Sequence, residues 1–199
     1  MDRIQEAMEY ARQVFLGDSS GHDYYHTLRV YYLATEIAKA EGANLETVQL
    51  AALLHDVDDH KLSPQTCENM DRAAAFLKSH GVSEAQTEEI VKIISGISFS
   101  RNSGRPDSLE GMCVQDADRL DAIGAIGIAR TFAYGGSRGR AIHDPQGKDE
   151  LTSIAHFYDK LLNLKALMNT ETGRATAEGR DRFMRQYLEE FYEEWDGIR

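Results

Sequence analysis

Residues 45–56 read LETVQLAALLHD, and this stretch decides the fold class. Val48, Ala52 and His55 recur at the i, i+4, i+7 spacing of one helical face. The stripe is apolar up to its last member, so His55 closes an inward face and Asp56 follows where the helix meets solvent. Ala51 and Ala52 are small enough to let a second helix come close. An imidazole and a carboxylate thus stand side by side at the end of a core helix.

Upstream, GHDYYH (21–26) opens another helix, from about Asp23 to Ala40. On it His26, Val30, Leu33 and Ile37 fall at i, i+4, i+7 and i+11, which places His26 with the apolar stripe. Gly42 ends that helix, and Asn44 is a plausible N-cap for the next. A first amphipathic helix spans about Arg3 to Leu16 and closes at Gly17. Downstream, the pattern predicts helices over about Pro64 to Ser79, with Gly81 just beyond, and over Ser83 to Ile94. The polar stretch SGISFSRNSGRPDS (95–108) reads as a loop walling a site.

A long helix is predicted from about Leu109 to Tyr134, with Asp118, Ala122, Ala125 and Ala129 on one face. Asp121 lies nearly on the same side, whereas Asp116 lies about 200° round the helix at 100° per residue. GGSRGRAIHDPQGKDE (135–150) is a second loop, carrying Arg138, Arg140 and His143. Helices over about Glu150 to Met168 and Arg174 to Trp195 complete the chain. The last carries a Met184, Leu188, Phe191, Trp195 stripe that packs internally or across a homodimer. No period-2 strand and no internal repeat is evident, so the class is all-α.

The 199 residues predict one domain with a real core and no linker. With 33 Asp and Glu against 22 Lys and Arg, the formal charge is −11, which disfavours duplex nucleic acid as a partner. A phosphorylated small substrate would need a local cation and a few arginines instead. Cys67 and Cys113 have neither ligand-type nor disulfide-type spacing, which fits idle thiols in a reducing compartment. MDRIQEAMEY lacks an apolar leader core and no run approaches 18 apolar residues, so the expectation is a cytoplasmic protein without membrane contact.

Two inward histidines, the Asp56 carboxylate and one acidic residue of the DADRLD run (116–121) make a set of two nitrogens and two oxygens. Buried carboxylates without partners cost several kcal/mol, about what desolvation estimates give, so convergence of these groups calls for a cation. Such a set leaves coordination positions to spare, and sites of that kind hydrolyse phosphate esters. Mixed imidazole and carboxylate ligation without thiolate suits Mn²⁺ first, with Mg²⁺, Fe²⁺, Co²⁺ or Ni²⁺ as alternatives.

The pattern His26, His55-Asp56, Asp118 resembles the HD-domain superfamily of metal-dependent phosphohydrolases, closest to its free-standing bacterial members of this size. HDYYHTLRV (22–30) is similar to the family's first-histidine helix, LLHDVDDHK (53–61) to its His-Asp segment, and DADRLDAIGAIGIARTFAYGG (116–136) to its final aspartate helix. KLLNLKALMNTETGRATAEGR (160–180) is similar to the C-terminal part of that subgroup. The resemblance implies a helical bundle filling residues 1–199 as one HD domain. Its metal core would span about 20–135, with the C-terminal helices, about 150–196, packed on it.

It also implies that His26, His55, Asp56 and Asp118 bind metal. Asp118 is chosen because Ala117-Asp118-Arg119-Leu120 best matches the family's Ala-Asp-x-Leu, and Asp121 is the second choice. Asp59 or Asp121 would orient the attacking water. Arg29, Lys61, Arg130 and Arg138 would contact phosphate, while Asp58 and His60 read equally as a solvated helix end. The implied substrate is a nucleotide, most simply a nucleoside triphosphate cut to monophosphate and pyrophosphate. The rivals are a nucleoside monophosphate or alarmone hydrolase and a catalytically silent metal- and nucleotide-binding sensor. HDVDDH (55–60) only partly matches the HDxxED of alarmone hydrolases.

Overall fold

Helices α1 to α9 and one 3-10 helix make up the regular structure of the computed structural model, which describes residues 2–15, 23–58, 70–97 and 104–198. No strand occurs among the described residues, as the periodicity requires of an all-α protein. The chain divides into two compact units, Met1–Asp118 and Arg119–Arg199.

In the first unit, α3 (Leu45–Leu54) is the central element, packed against α1 (Arg3–Val14), α2 (Tyr24–Glu41) and α5 (Glu84–Ile97). Seven of its ten residues are buried, so it is a core helix rather than a one-faced one. Leu50, Leu53 and Leu54 are fully enclosed, each worth about 1.5–3 kcal/mol of transfer free energy. Its start is fixed twice. Asn44 accepts the Thr47 N–H at 3.1 Å, and the Asn44 N–H donates to Glu110 of α6 (Leu109–Asp121) at 2.9 Å. Gly42 closes α2 in the left-handed conformation at φ 76°, the role its position suggested.

Helix α4 (Asp71–Ser79) packs on α5 and begins later than the expected Pro64, with residues 64–69 lying outside the described ones. His80 caps its C-terminal end, where its ring stacks on Phe76. Ser83 accepts the Gln86 N–H and starts α5, which continues to Ile97, three residues into the stretch read as a loop.

The second unit comprises α7 (Gly124–Ser137), α8 (Ser153–Asp159), the 3-10 helix Leu161–Leu167 and α9 (Glu171–Trp195). Helix α9 lies against α7 and the 3-10 helix. The single helix expected over Leu109 to Tyr134 is broken at Ala122–Ile123, because the chain turns through Gly124 at φ 77° before α7 begins. Arg180 of α9 makes the break possible. Its guanidinium takes the Leu120 carbonyl at the end of α6, while its methylenes cover Gly124.

The helix expected over Glu150 to Met168 is likewise two pieces. The Asn163 amide donates to the Tyr158 and Asp159 carbonyls at 3.0 and 3.2 Å, consuming the acceptors that a continuous helix would need. Gly135 to Ser137, read as loop, belong to the end of α7. His143 sits among Phe191, Tyr192 and Trp195, with ring centroids 5.1–5.9 Å away, so it is part of an aromatic cluster.

Gly179, mid-way along α9, faces open space where a Cβ would stand. Gly179→Ala should therefore raise stability by about 0.5–1 kcal/mol through helix propensity alone. Thermal unfolding followed by circular dichroism measures it.

Candidate metal centre

Three helix ends meet at the first unit's polar cluster. Asp23 caps α2 by accepting the His26 N–H at 2.7 Å, which places His26 in the helix's first turn. His55 is the C-cap of α3, and Asp118 lies in the last turn of α6. Side chains at helix ends can reach inward from several directions, whereas those in mid-helix are confined to one lane.

The Nε2 atoms of His26 and His55 stand 3.3 Å apart. Asp56 Oδ2 lies 3.4 Å from the first and 3.2 Å from the second, and Asp118 Oδ1 lies 3.5 Å from His26 Nε2. In octahedral coordination at about 2.1 Å, adjacent donors are about 3.0 Å apart and opposite ones about 4.2 Å. The four separations thus resemble those of neighbouring ligands, opened by a few tenths of an ångström. The donor atoms of His26, His55 and Asp118 lie within 4.8 Å of one another, close enough to hold a metal ion together.

Hydrogen bonding and electrostatics agree with a cation. His55 Nδ1 donates to the Ala52 carbonyl at 2.8 Å, so its Nε2 is the nitrogen turned towards the cluster. Burial presses the His55 imidazole towards its neutral form. The hydrogen-bonded Asp56 carboxylate, aided by Asp118, more than offsets this and holds its pKa up to about 9. The spot attracts positive charge. Exposure is graded as well: the His26 and His55 side chains are 1% and 2% exposed, those of Asp56 and Asp118 14% and 28%. The imidazoles form a dry floor, and the carboxylates stand nearer to water. The donor chemistry, two imidazoles and two carboxylates without thiolate, fits a divalent cation.

The other expected site residues are distributed differently. Asp116 is fully buried, and Asp118 is the member of the DADRLD run that reaches the imidazoles. Asp121 and Arg130, expected to act as separate groups, hold each other in the second unit. Arg130 donates to the Asp121 carboxylate at 2.7 Å and to its carbonyl at 3.3 Å, with Asp121 buried. Arg29 is half-buried three residues beyond His26. Arg138 is exposed, its guanidinium 5.4 Å from the centroid of Tyr134, and Arg140 lies over the same ring at 5.3 Å. Arg119 is buried and donates to the Leu167 carbonyl, a structural task. Asp59, His60, Lys61, Arg101 and Cys67 lie outside the described residues. Cys113 is buried, and burial together with Asp116 pushes its thiol up to about 12, so it is chemically idle.

Asp58 is the residue that sequence reasoning misread. It is buried, and its carboxylate accepts N–H groups from Arg72 and Ala73 of α4. No sequence signal marks it, because the partners are 14 and 15 residues away.

Comparison with known proteins places this geometry in a family. The HD domain model matches residues 23–123, which include all four clustered residues. The uncharacterized protein YpgQ of Bacillus subtilis (strain 168) is 39% identical over 100% of this chain and 96% of its own. The crystal structure of an HD-superfamily hydrolase from Bacillus thuringiensis superposes with a TM-score of 0.83 at 41% identity, covering 98% of this chain and 97% of that one. The structure of B. subtilis YpgQ in complex with ADP does so with a TM-score of 0.82 at 36% identity, covering 98% and 100%. The paired imidazoles and carboxylates therefore stand in a chain that belongs to the HD-domain family of metal-dependent phosphohydrolases.

Proposed function

We propose that this protein hydrolyses nucleotides, taking a nucleoside triphosphate to its monophosphate and pyrophosphate, with His26, His55, Asp56 and Asp118 holding the divalent cation. The observation that carries the reading is the cluster of four donors at neighbouring-ligand separations, with its two carboxylates towards solvent. ADP bound to YpgQ, a relative matching over nearly the whole chain, favours a nucleotide over other phosphate esters. Mn²⁺ is the cation the donor set suits first.

When bound, the cation supplies positive charge against the phosphoryl oxygens and acidifies a water beside them. The chain's own part is to position and to move a proton. Asp59 orients the attacking water and takes its proton as the oxygen reaches the α-phosphorus. The bond from that phosphorus to the bridging oxygen breaks, and pyrophosphate leaves. Arg29, Lys61 and Arg138 offset the charge that spreads over the phosphate oxygens. Asp121 is the alternative water-orienting group, although its pairing with Arg130 favours a task of holding that arginine in place.

Product analysis with purified protein, Mn²⁺ and a pool of ribo- and deoxynucleotides tests the assignment. Pyrophosphate is expected from the wild type. Phosphate alone would make the enzyme a nucleotidase, and no product with metal retained would make it a sensor. Asp59→Ala should slow turnover by about 10²–10⁴-fold, the usual worth of a general base, while the metal stays bound. Loss of metal from that variant would mark Asp59 as a ligand.

A further inference from the structure

The turn that follows the His-Asp pair is pinned from outside itself. Val57 is fully buried and its N–H returns to the Leu54 carbonyl at 3.3 Å, so the chain is still tightly wound as it leaves α3. Asp58 comes next and is 1% exposed. Its Oδ1 accepts the Arg72 N–H at 3.2 Å, and its Oδ2 accepts the Ala73 N–H at 2.9 Å. These are the second and third residues of α4, whose N–H groups an N-cap side chain would ordinarily take.

The residue at the cap position itself cannot do so. Met70 carries only a weakly accepting thioether, makes no side-chain cap bond, and sits in the left-handed region at φ 54°, ψ 43°. It is the one non-glycine residue with positive φ among those described. Helix α4 thus starts through a backbone conformation that an L side chain resists, and its first-turn donors are directed onto a carboxylate from the turn that follows α3. Both oxygens of a buried carboxyl group are satisfied at the positive end of a helix dipole. That arrangement is rigid and directional, and it lies two residues from Asp56 and three from His55.

We infer that Asp58 is a positioning residue for the metal centre: it anchors the turn bearing His55 and Asp56 to the first turn of α4, and so fixes the direction in which both donors point. The inference rests on the reading that His55 and Asp56 are ligands. Without the anchor, the turn can rotate, and the close separations around His55 Nε2 are no longer enforced. Groups that orient ligands without touching the metal are typically worth 10–100-fold in affinity.

Mn²⁺ binding to metal-stripped full-length protein, by calorimetry, separates this from a merely structural role. Asp58→Ala should weaken binding by about 10–100-fold, and Asp58→Asn, which keeps one acceptor, by less. At saturating Mn²⁺ both should recover turnover to within a few-fold, because the donors themselves remain. Thr170→Ala removes the cap of α9 and serves as the stability control; it should lower Tm without moving Mn²⁺ affinity. Wild-type Mn²⁺ affinity in folded Asp58→Ala would overturn the inference, and so would a loss matched by Thr170→Ala. Should Asp58→Ala fail to fold, Asp58→Asn decides by the same criterion. If Asp56→Ala also binds Mn²⁺ normally, the ligand assignment has failed instead, and the two failures are told apart.

Discussion

Asp56→Ala is expected to leave a folded protein that neither retains a divalent cation nor turns over nucleotide. Asp56 Oδ2 stands within 3.4 Å of both imidazole nitrogens, so it is the carboxylate that closes the cluster on its two histidines. Removing it deletes one donor and also the charge most responsible for drawing positive charge to His55. The affinity loss should exceed the 10–100-fold typical of groups that only orient a ligand. Turnover should fall with it and should not return at high Mn²⁺, which contrasts with the behaviour expected of Asp58→Ala. The fold should survive, because the change removes a partly exposed acidic group from a chain of net charge −11 and leaves α3 intact. Metal analysis after dialysis, turnover across a Mn²⁺ series and a melting curve check the three parts together. Unchanged activity would end the metal-hydrolase assignment for these residues.

Gly127→Ala is expected to cause a large loss of stability. A Cβ at that position would lie 2.3 Å from the Ala122 carbonyl oxygen and 2.6 Å from its carbon. Both are backbone atoms in the turn between α6 and α7, so no rotamer can relieve the contact. The turn is held by neighbours: Arg180 covers Gly124 with its methylenes 3.0–3.2 Å from the would-be Cβ and grips the Leu120 carbonyl. Overpacking in a well-filled interior usually costs about 1–3 kcal/mol, and a clash with immovable backbone should reach the top of that range or beyond. For a chain of this size, about 3 kcal/mol corresponds to a fall in Tm of roughly 6–12 °C. Thermal melts of Gly127→Ala beside Gly179→Ala should move in opposite directions. The same chemical change is harmful where the backbone crowds and helpful where the helix faces water.

The sequence carried the all-α class and the ends of α2, α3 and α9 to within a few residues, and it singled out His26, His55, Asp56 and Asp118, whose side chains the fold brings together. The class and the helix ends are local or periodic signals: an apolar stripe of period 3.6, a glycine in the left-handed region at Gly42, an Asn cap at residue 44; the choice of Asp118 came from the family resemblance. The His-Asp pair was legible because it interrupts an apolar stripe at its end, and His26 because it occupies a core lane. Where the reading failed, the cause was a side chain taking helix carbonyls in a way that periodicity does not show, from far along the chain in one case and from close by in the other. Nothing between Leu109 and Tyr134 breaks helical periodicity, and the interruption at Ala122–Ile123 is stabilised by Arg180, some 60 residues on. Asn163 ends α8 by reaching back to carbonyls that a continuous helix would have used.

What tertiary structure alone decided is the use made of charged side chains. Asp58, Asp121, Arg130, Arg119 and Arg180 look alike in sequence as charged groups. In the fold they are, respectively, a cap for α4, two halves of an ion pair, and two arms that satisfy helix-end carbonyls. The physical reason is that periodicity reports which face of a helix is dry, an average over many weak contacts. The partner of a buried charge is instead one specific group, and only the closed chain brings it within 3 Å.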